Sequence, residues 1–592
     1  MVKRTLISLR NLLVKEQNEI LGAASMLMAL LFISKVTGLI FLTLMSKQFG
    51  ASQETDLFYL ASAIPETITN IVLLGAISGS VIPIFVKVRE EKGEQNFIAA
   101  FSSMISVGML FFVILAILAA IFSRQLIPFA IQLVQRNIPL EAAEIDMTVW
   151  MMRLLLIPQI ILGLSAFIST WLNIYHRFII PSLAPVFYNI GKILGILIFV
   201  PLLGGSIWGI IIGTILGAIL HLIIQIPLVY YLRLKFKFKI AFKDEHFRQV
   251  LKLGLPRTLS LGAEQIASIV DTLIAFSLST VTSAALTAFQ LAMRLMSFPL
   301  NLFGTSFAIA SFPSLAKLHI QGKTEEFSTL LLRIFNQIIF LALPITVFFL
   351  ILRVPVVRLV YGIFGGEFSW HDTLQVAWVL LFFSLGIPLE SLRSAIFRAY
   401  FAIHNSVIPL ISSIFVVVLG IITGILFSNY FSHFNTFTIQ DMHFNINYFF
   451  SRGTGEAGIG GLALSSSLVF ILEFLFLLFI LYRKRFILEL KPFFKQIAKK
   501  FLAAVVMIVV CYAMAKLWEE ILDTAKTLQL IVLTLSTFGA SFMVYVWTSF
   551  ILDIEEVQIF VELLLRIFRK LFRRHDHIQQ EHVQLNGESQ LP

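Results

Sequence analysis

Stretches of twenty or more apolar residues recur from one end of this chain to the other, and no water-soluble fold has a core large enough to hide them. Each is long enough to cross a hydrocarbon layer about 30 Å thick as a helix. Barrel strands would be about ten residues long and would alternate in polarity, so the expected class is an all-α polytopic membrane protein. Candidate spans lie near 20–46, 56–86, 97–122, 145–171, 179–201, 207–231, 254–277, 282–312, 328–352, 372–400, 405–428, 457–482, 501–518 and 527–552, fourteen in all. Alternate loops should then collect the lysines and arginines. The segments "KVREEKG" (87–93), "RLKFKFKIAFKDEHFRQVLK" (233–252), "RKRFILELKPFFKQIAKK" (483–500) and "RIFRKLFRR" (566–574) all fall on the side of the basic N-terminus. The opposite loops "PLLGGS" (201–206) and "LSTVTSAA" (278–285) carry no base at all. Both termini are therefore expected in the cytoplasm.

The formal charge of +11 might suggest a nucleic-acid partner, but the bases sit between apolar runs, where anionic lipid headgroups are the natural counter-charge. Cys511 is the single cysteine, which excludes a disulfide framework and a cysteine metal site. Residues 1–19 form a basic segment ahead of a retained first helix, and 553–592 read as an amphipathic basic helix followed by a polar tail. The insertion 429–456 is polar and aromatic, with only Asp441 and Glu456 as acids, too few for a surface glycosyltransferase centre. No phosphate-binding Walker loop occurs, and His176, His221, His371 and His404 are isolated from one another. The expectation is a transporter that neither catalyses a reaction nor hydrolyses ATP itself.

A long-period repeat organises the spans. Phe58-x-Leu60-Ala61 recurs as Phe289-x-Leu291-Ala292, Pro83 and Lys87 as Pro313 and Lys317, Ile180-Pro181 as Ile408-Pro409, and Gly191 and Gly195 as Gly420 and Gly424. The offset is about 230 residues, six spans, so the copies run parallel about an axis near the membrane normal. Two six-helix lobes facing a central cavity follow: 20–231 and 254–482, joined by the basic linker 232–253, with 483–552 supplying a basic loop and an appended helix pair.

Charged groups inside spans are expensive and mark function. Lys35 and Arg294 fall near mid-depth, Lys35 on the first span and Arg294 on the eighth, the repeat counterpart of the second. Asp271 is equally deep. Arg153, Arg257 and Arg398 lie near span ends and can reach the headgroups, and Glu66, Glu264, Glu390, Arg393 and Glu473 complete the set. Two bases without an acid at their level suit an anionic ligand, and guanidinium matches phosphate oxygens in pairs. Pro65, Gly75, Gly79 and Pro83 in the second span, and Pro299 and Gly304 in the eighth, would let those helices bend.

These residues resemble the MurJ (MviN) lipid II flippase family of the multidrug/oligosaccharidyl-lipid/polysaccharide exporter superfamily. Ser34-Lys35-x-x-Gly38, "KQFGASQETDLFYL" (47–60), Gly75-Ala76-x-Ser78, Ile82-Pro83, "LNIYHRFIIPSLAPVFYNI" (172–190), "QIASIVDTLIAFSL" (265–278) and "RLMSFP" (294–299) carry the likeness, which covers 20–485. The resemblance implies a two-lobed flippase of the bacterial cytoplasmic membrane in cell-wall biogenesis. Its substrate would be a polyprenyl-diphosphate saccharide turned by alternating access, with Lys35 and Arg294 on the diphosphate. Asp56, Gly38, Gly75, Pro83, Gln265 and Asp271 would line or gate the cavity. A monomer is expected, beside cell-wall synthesis enzymes and without a cofactor. A flippase for another polyprenyl-linked polysaccharide, or an ion-coupled drug antiporter of the same superfamily, is the alternative. The chain departs from the family at Phe41 and Leu42, where a basic–acidic pair is usual, at Thr69 and Asn70 in place of two arginines, and at Leu74 in place of a glutamate. Some relatives bind sodium through an aspartate of the seventh span and Asn or Asp of the eleventh. Asp271 remains here as a possible ligand, but 416–428 holds neither Asn nor Asp, so sodium coupling is uncertain.

Overall fold

The computed structural model describes residues 20–562 apart from 77–80, 134–139, 234–235, 237, 239–244, 281–282, 434–436, 440–441, 445–456, 487–489 and 559. The basic N-terminal segment 1–19 lies outside these residues, as does the expected tail helix beyond 562; its start, 555–558 and 560–562, is helical. Helices α1 (Ile20–Phe49), α2 (Gln53–Ala76), α3 (Val81–Lys92), α4 (Glu94–Ile121), α5 (Ser123–Leu133), α6 (Ala142–Ile174), α7 (Ile179–Leu202) and α8 (Trp208–Tyr231) make the first set. A second set follows with α9 (Glu245–Ser277), α10 (Ala285–Ile320), α11 (Thr324–Tyr361), α12 (Trp370–Ala402), α13 (Val407–His433) and α14 (Gly458–Arg483). Last come α15 (Lys491–Ile521) and α16 (Thr527–Ile551). Twelve of these helices are long and apolar enough to cross a membrane. The two remaining expected spans correspond to α2–α3 and α9, each of which runs partly outside the residues whose side chains are described. In the 429–456 insertion α13 continues to His433, and a short antiparallel ribbon follows, β1 (Phe437–Ile439) against β2 (Met442–Phe444).

Packing follows the repeat. Glycines let α7 and α8 touch backbone to backbone: a Cβ on Gly191 would stand 2.3 Å from the Cα of Gly217, and one on Gly195 would stand 2.6 Å from the Cα of Gly213. In the second set α13 and α14 also approach closely, but at a different glycine, Gly461 against the carbonyl of Phe427; Gly420, the counterpart of Gly191, has nothing within 4 Å, and Gly424, the counterpart of Gly195, meets only side chains such as Leu462. The turns that precede α7 and α13 also match, since His176 (φ 55) and His404 (φ 56) each take the left-handed conformation just past a helix end. Gly191→Val should therefore lower the melting temperature of the purified protein and its yield as a monodisperse species. The overpacking costs about 1–3 kcal/mol or more, because backbone cannot step aside. An unchanged melting curve would refute the contact.

Two helices carry the wider i→i+5 winding that often accompanies function: α7 over Gly195–Phe199 and α10 over Leu300–Thr305, directly after Pro299. The break expected in the eighth span is thus present, with Pro299 and Gly304 flanking or within it. The helix pair α15–α16 docks on α11 through the buried Lys500, which bonds Asn336 Oδ1 at 2.7 Å and pairs with Glu556 at 3.1 Å. Tyr545 Oη donates to the carbonyl of Phe340 at 3.0 Å. Arg153, expected to reach headgroups, instead caps the end of α4, with Nε donating to Ala120 O at 3.1 Å and Ser123 Oγ at 2.8 Å.

Candidate functional site

The two helix sets are joined at the low-charge face of the bundle. Thr43 Oγ1 of α1 donates to Val360 O at 2.7 Å, and Glu367 N donates to Lys47 O at 2.9 Å. Glycine makes this approach possible: Gly50 (φ +60) and Gly366 (φ +94) adopt a backbone that side chains disfavour. A Cβ there would meet Glu367 O at 2.6 Å and Lys47 O at 2.3 Å respectively.

Asp56 belongs to this seam. It is buried at the start of α2 and accepts from Thr287 N at 2.7 Å, from Thr287 Oγ1 at 2.6 Å and from Ser279 Oγ, all in the second set. Thr287 Oγ1 also bonds Thr55 Oγ1 at 2.9 Å. A carboxylate with this many donors fixes α2 to the head of α10. Asp56 is thus a closure between the sets at one end of the bundle, whereas Lys35 and Arg294 lie deeper.

Lys35 and Arg294 are both exposed in the protein alone, on α1 and α10. The charge of Arg294 bears on Lys35 of α1, Tyr59 of α2, Tyr188 and Lys192 of α7, and Tyr361 of α11. Arg294 therefore faces four helices, three of them in the other set. Lys192 is the base that the sequence reading passed over. Its ammonium sits 3.7 Å from the ring centre of Phe41 and 5.4 Å from that of Tyr188. Lys192 thus brings a positive charge from α7 onto the face of an α1 side chain. Glu66 of α2 acts on Lys192, Tyr59 and Tyr188 from the same region. Three bases against one acid make the group net positive, which suits an anion such as a diphosphate.

The other departures are absorbed by hydrogen bonds. Thr69 Oγ1 donates to Gln159 Oε1 at 2.7 Å, and Asn70 Nδ2 donates to Gln265 Oε1 at 3.0 Å, the latter joining α2 to α9 across the sets. Gln265 is therefore a partner of α2 from the second set. Gly38 is a packing position: a Cβ there would meet Asn189 Nδ2 at 3.4 Å, and Asn189 donates to Ser34 O at 2.9 Å. Gly75 and Pro83 fall on α2 and α3, where their side-chain surroundings, like those of Leu74 and Arg257, lie outside what is described. Asp271 is half-buried on α9, and among the described residues no group of three His, Cys, Asp or Glu is placed to hold a metal.

The family model "Lipid II flippase MurJ" matches residues 45–436. The probable lipid II flippase MurJ of Buchnera aphidicola subsp. Acyrthosiphon pisum is 26% identical over 494 residues, covering 82% of this chain and 89% of the relative. The lipid II flippase MurJ of Burkholderia cenocepacia is 26% identical over 364 residues, covering 60% of this chain and 68% of the relative. Among solved structures, a lipid II flippase MurJ in an inward closed conformation superposes with a TM-score of 0.66 at 23% identity, covering 89% of this chain and 98% of that one. An inward-facing multidrug resistance MATE family transporter gives 0.58 at 15% identity, over 76% and 95%. Both share the fold.

Proposed function

This chain belongs to the MurJ lipid II flippase family, and from that membership we propose that it turns lipid II, or a closely similar polyprenyl-diphosphate saccharide, across the cytoplasmic membrane by alternating access. It is a multi-pass membrane transporter and not an enzyme. The observation that carries the reading is the grouping of Lys35, Lys192 and Arg294, contributed by both helix sets. A diphosphate held there touches both sets at once, so its binding stabilises the arrangement in which they close. The basic face is the cytoplasmic one in this reading, with both termini on it. The seam at Asp56 then closes the outer end, and the cations await the headgroup from the inner leaflet.

A drug antiporter would place acids where a cationic substrate could reach them. Asp56 is instead occupied by donors from the other set. Reconstitution into vesicles with fluorescent lipid II and a membrane-impermeant quencher tests the function. Exchange between leaflets should exceed that of protein-free vesicles many-fold, and a second polyprenyl diphosphate with a different glycan should compete. Exchange equal to that of empty vesicles for both lipids would refute the assignment.

A further inference from the structure

Arg393 of α12 stands amid three carboxylates drawn from three helices. Its Nη2 is 2.5 Å from Glu264 Oε1 on α9, its Nη1 is 2.9 Å from Glu390 Oε1 one turn back on α12, and its Nε is 2.8 Å from Glu473 Oε2 on α14. The rings of Phe397 and Phe470 flank the guanidinium at 5.0 and 5.9 Å. With every group ionised, three acids against one base leave two negative charges within membrane-spanning helices. Even one uncompensated charge there costs several kcal/mol.

The hydrogen bonding is incomplete in the same place. The Glu473 side chain is fully buried, and neither its Oε1 nor Glu390 Oε2 has a hydrogen-bond partner. A carboxylate oxygen so placed is an orphaned acceptor, and a proton on it turns it into a donor. A metal ion would need the centre that the carboxylates share, and Arg393 occupies it.

We propose that Glu264, Glu390 and Glu473 around Arg393 form a proton-binding site whose loading and unloading drives the transport cycle. This rests on the flippase reading above. The step is the uptake of one proton from water by a carboxylate, giving a neutral carboxylic acid, and its release to water on the other side of the membrane. Glu264, with 28% of its side chain exposed, is the way in. The charges that meet at the site are Glu264 on α9, Glu390 and Arg393 on α12, and Glu473 on α14; Asp271 lies about two turns further along α9 and makes no ion pair with them. From α13 comes the uncharged Ser412, which faces Glu473 and donates to Pro409 O at 2.9 Å.

Coupling has a visible route. Arg393 holds Glu264 toward α12, while the next residue, Gln265, accepts from Asn70 of α2 in the other set. Neutralising part of the cluster changes the hold on Glu264 and so the position of the helix that makes the inter-set bond. Proton loading and set movement are thereby linked equilibria.

Two measurements on the full chain decide the matter. Infrared spectra of the purified protein, titrated between about pH 5 and pH 9, should show a protonated carboxyl band that Glu473→Gln and Glu390→Gln each diminish. Two variants guard against one of them failing to fold. In lipid II vesicles, an interior–exterior difference of one pH unit, acid on the low-charge face, should shift the steady-state leaflet distribution about tenfold for one proton per lipid, and both variants should lose that shift. No titrating band lost in either variant, a distribution indifferent to the gradient, a shift of opposite sense, or dependence on sodium in its place would each overturn the proposal. Failure of exchange in any gradient counts against the flippase reading, and the infrared titration still judges the proton site.

Discussion

Alanine at Arg294 should slow lipid II exchange by about tenfold to a hundredfold, because each hydrogen bond from a charged donor to phosphate is worth about 1.5–3 kcal/mol. Lys35→Ala should do the same, and the two together should bring exchange down to the level of protein-free vesicles. Both head groups are exposed in the protein alone, so removing them leaves no buried partner orphaned and the melting curve should stay in place. Lys35→Arg preserves charge and adds a planar fork, and it should retain exchange. Lys192→Met separates two roles. The ammonium lies on Phe41, and a methionine can still pack on that ring, so lost exchange with intact folding would show that the charge itself is needed. Wild-type rates in the Arg294 and Lys35 variants would remove the diphosphate site.

Much of this architecture could be read along the chain, for reasons that differ from element to element. Spans such as α4 and α14 are legible because lipid demands an unbroken apolar run, and the break at Pro299 because a proline removes a backbone donor. The repeat is legible through residues that serve backbone geometry, such as Gly191 at the α7–α8 contact. What stayed hidden depends on partners distant in sequence. Asp56 looks like any acid near a helix start, and only the fold brings Thr287 to it. Arg393 and Glu390 sit one turn apart, but Glu264 and Glu473 reach them from other helices, and no local spacing announces that meeting. Lys192 is a different case: the rule that singles out Lys35 applies to it with equal force, since it too lies inside an apolar span. Its significance emerges only when Phe41 is seen beneath it.

A disulfide across the low-charge seam should stop exchange completely and reversibly. Thr55 and Thr287 bring their hydroxyl oxygens to 2.9 Å across the two helix sets, a separation from which paired thiols can bond with modest adjustment. The only native thiol, Cys511, is buried in α15, so Cys511→Ala supplies a clean background for Thr55→Cys with Thr287→Cys. Oxidised, that protein holds the seam shut, and a carrier that must open alternately at its two ends can no longer release its cargo. Reductant should restore exchange, and each single cysteine should be insensitive to oxidant. Asp56→Ala attacks the same closure from the other side, removing the acceptor of Thr287 N and the bonds from Thr287 Oγ1 and Ser279 Oγ that tie α2 to the second set. The orphaned Thr287 N–H alone costs about 1–3 kcal/mol and the lost hydroxyl bonds add to it, enough to depopulate the closed seam, so exchange should fall even though no base has been touched. Full exchange by the cross-linked protein would mean that the seam never opens in the cycle, and alternating access through this end of the bundle would have to be abandoned.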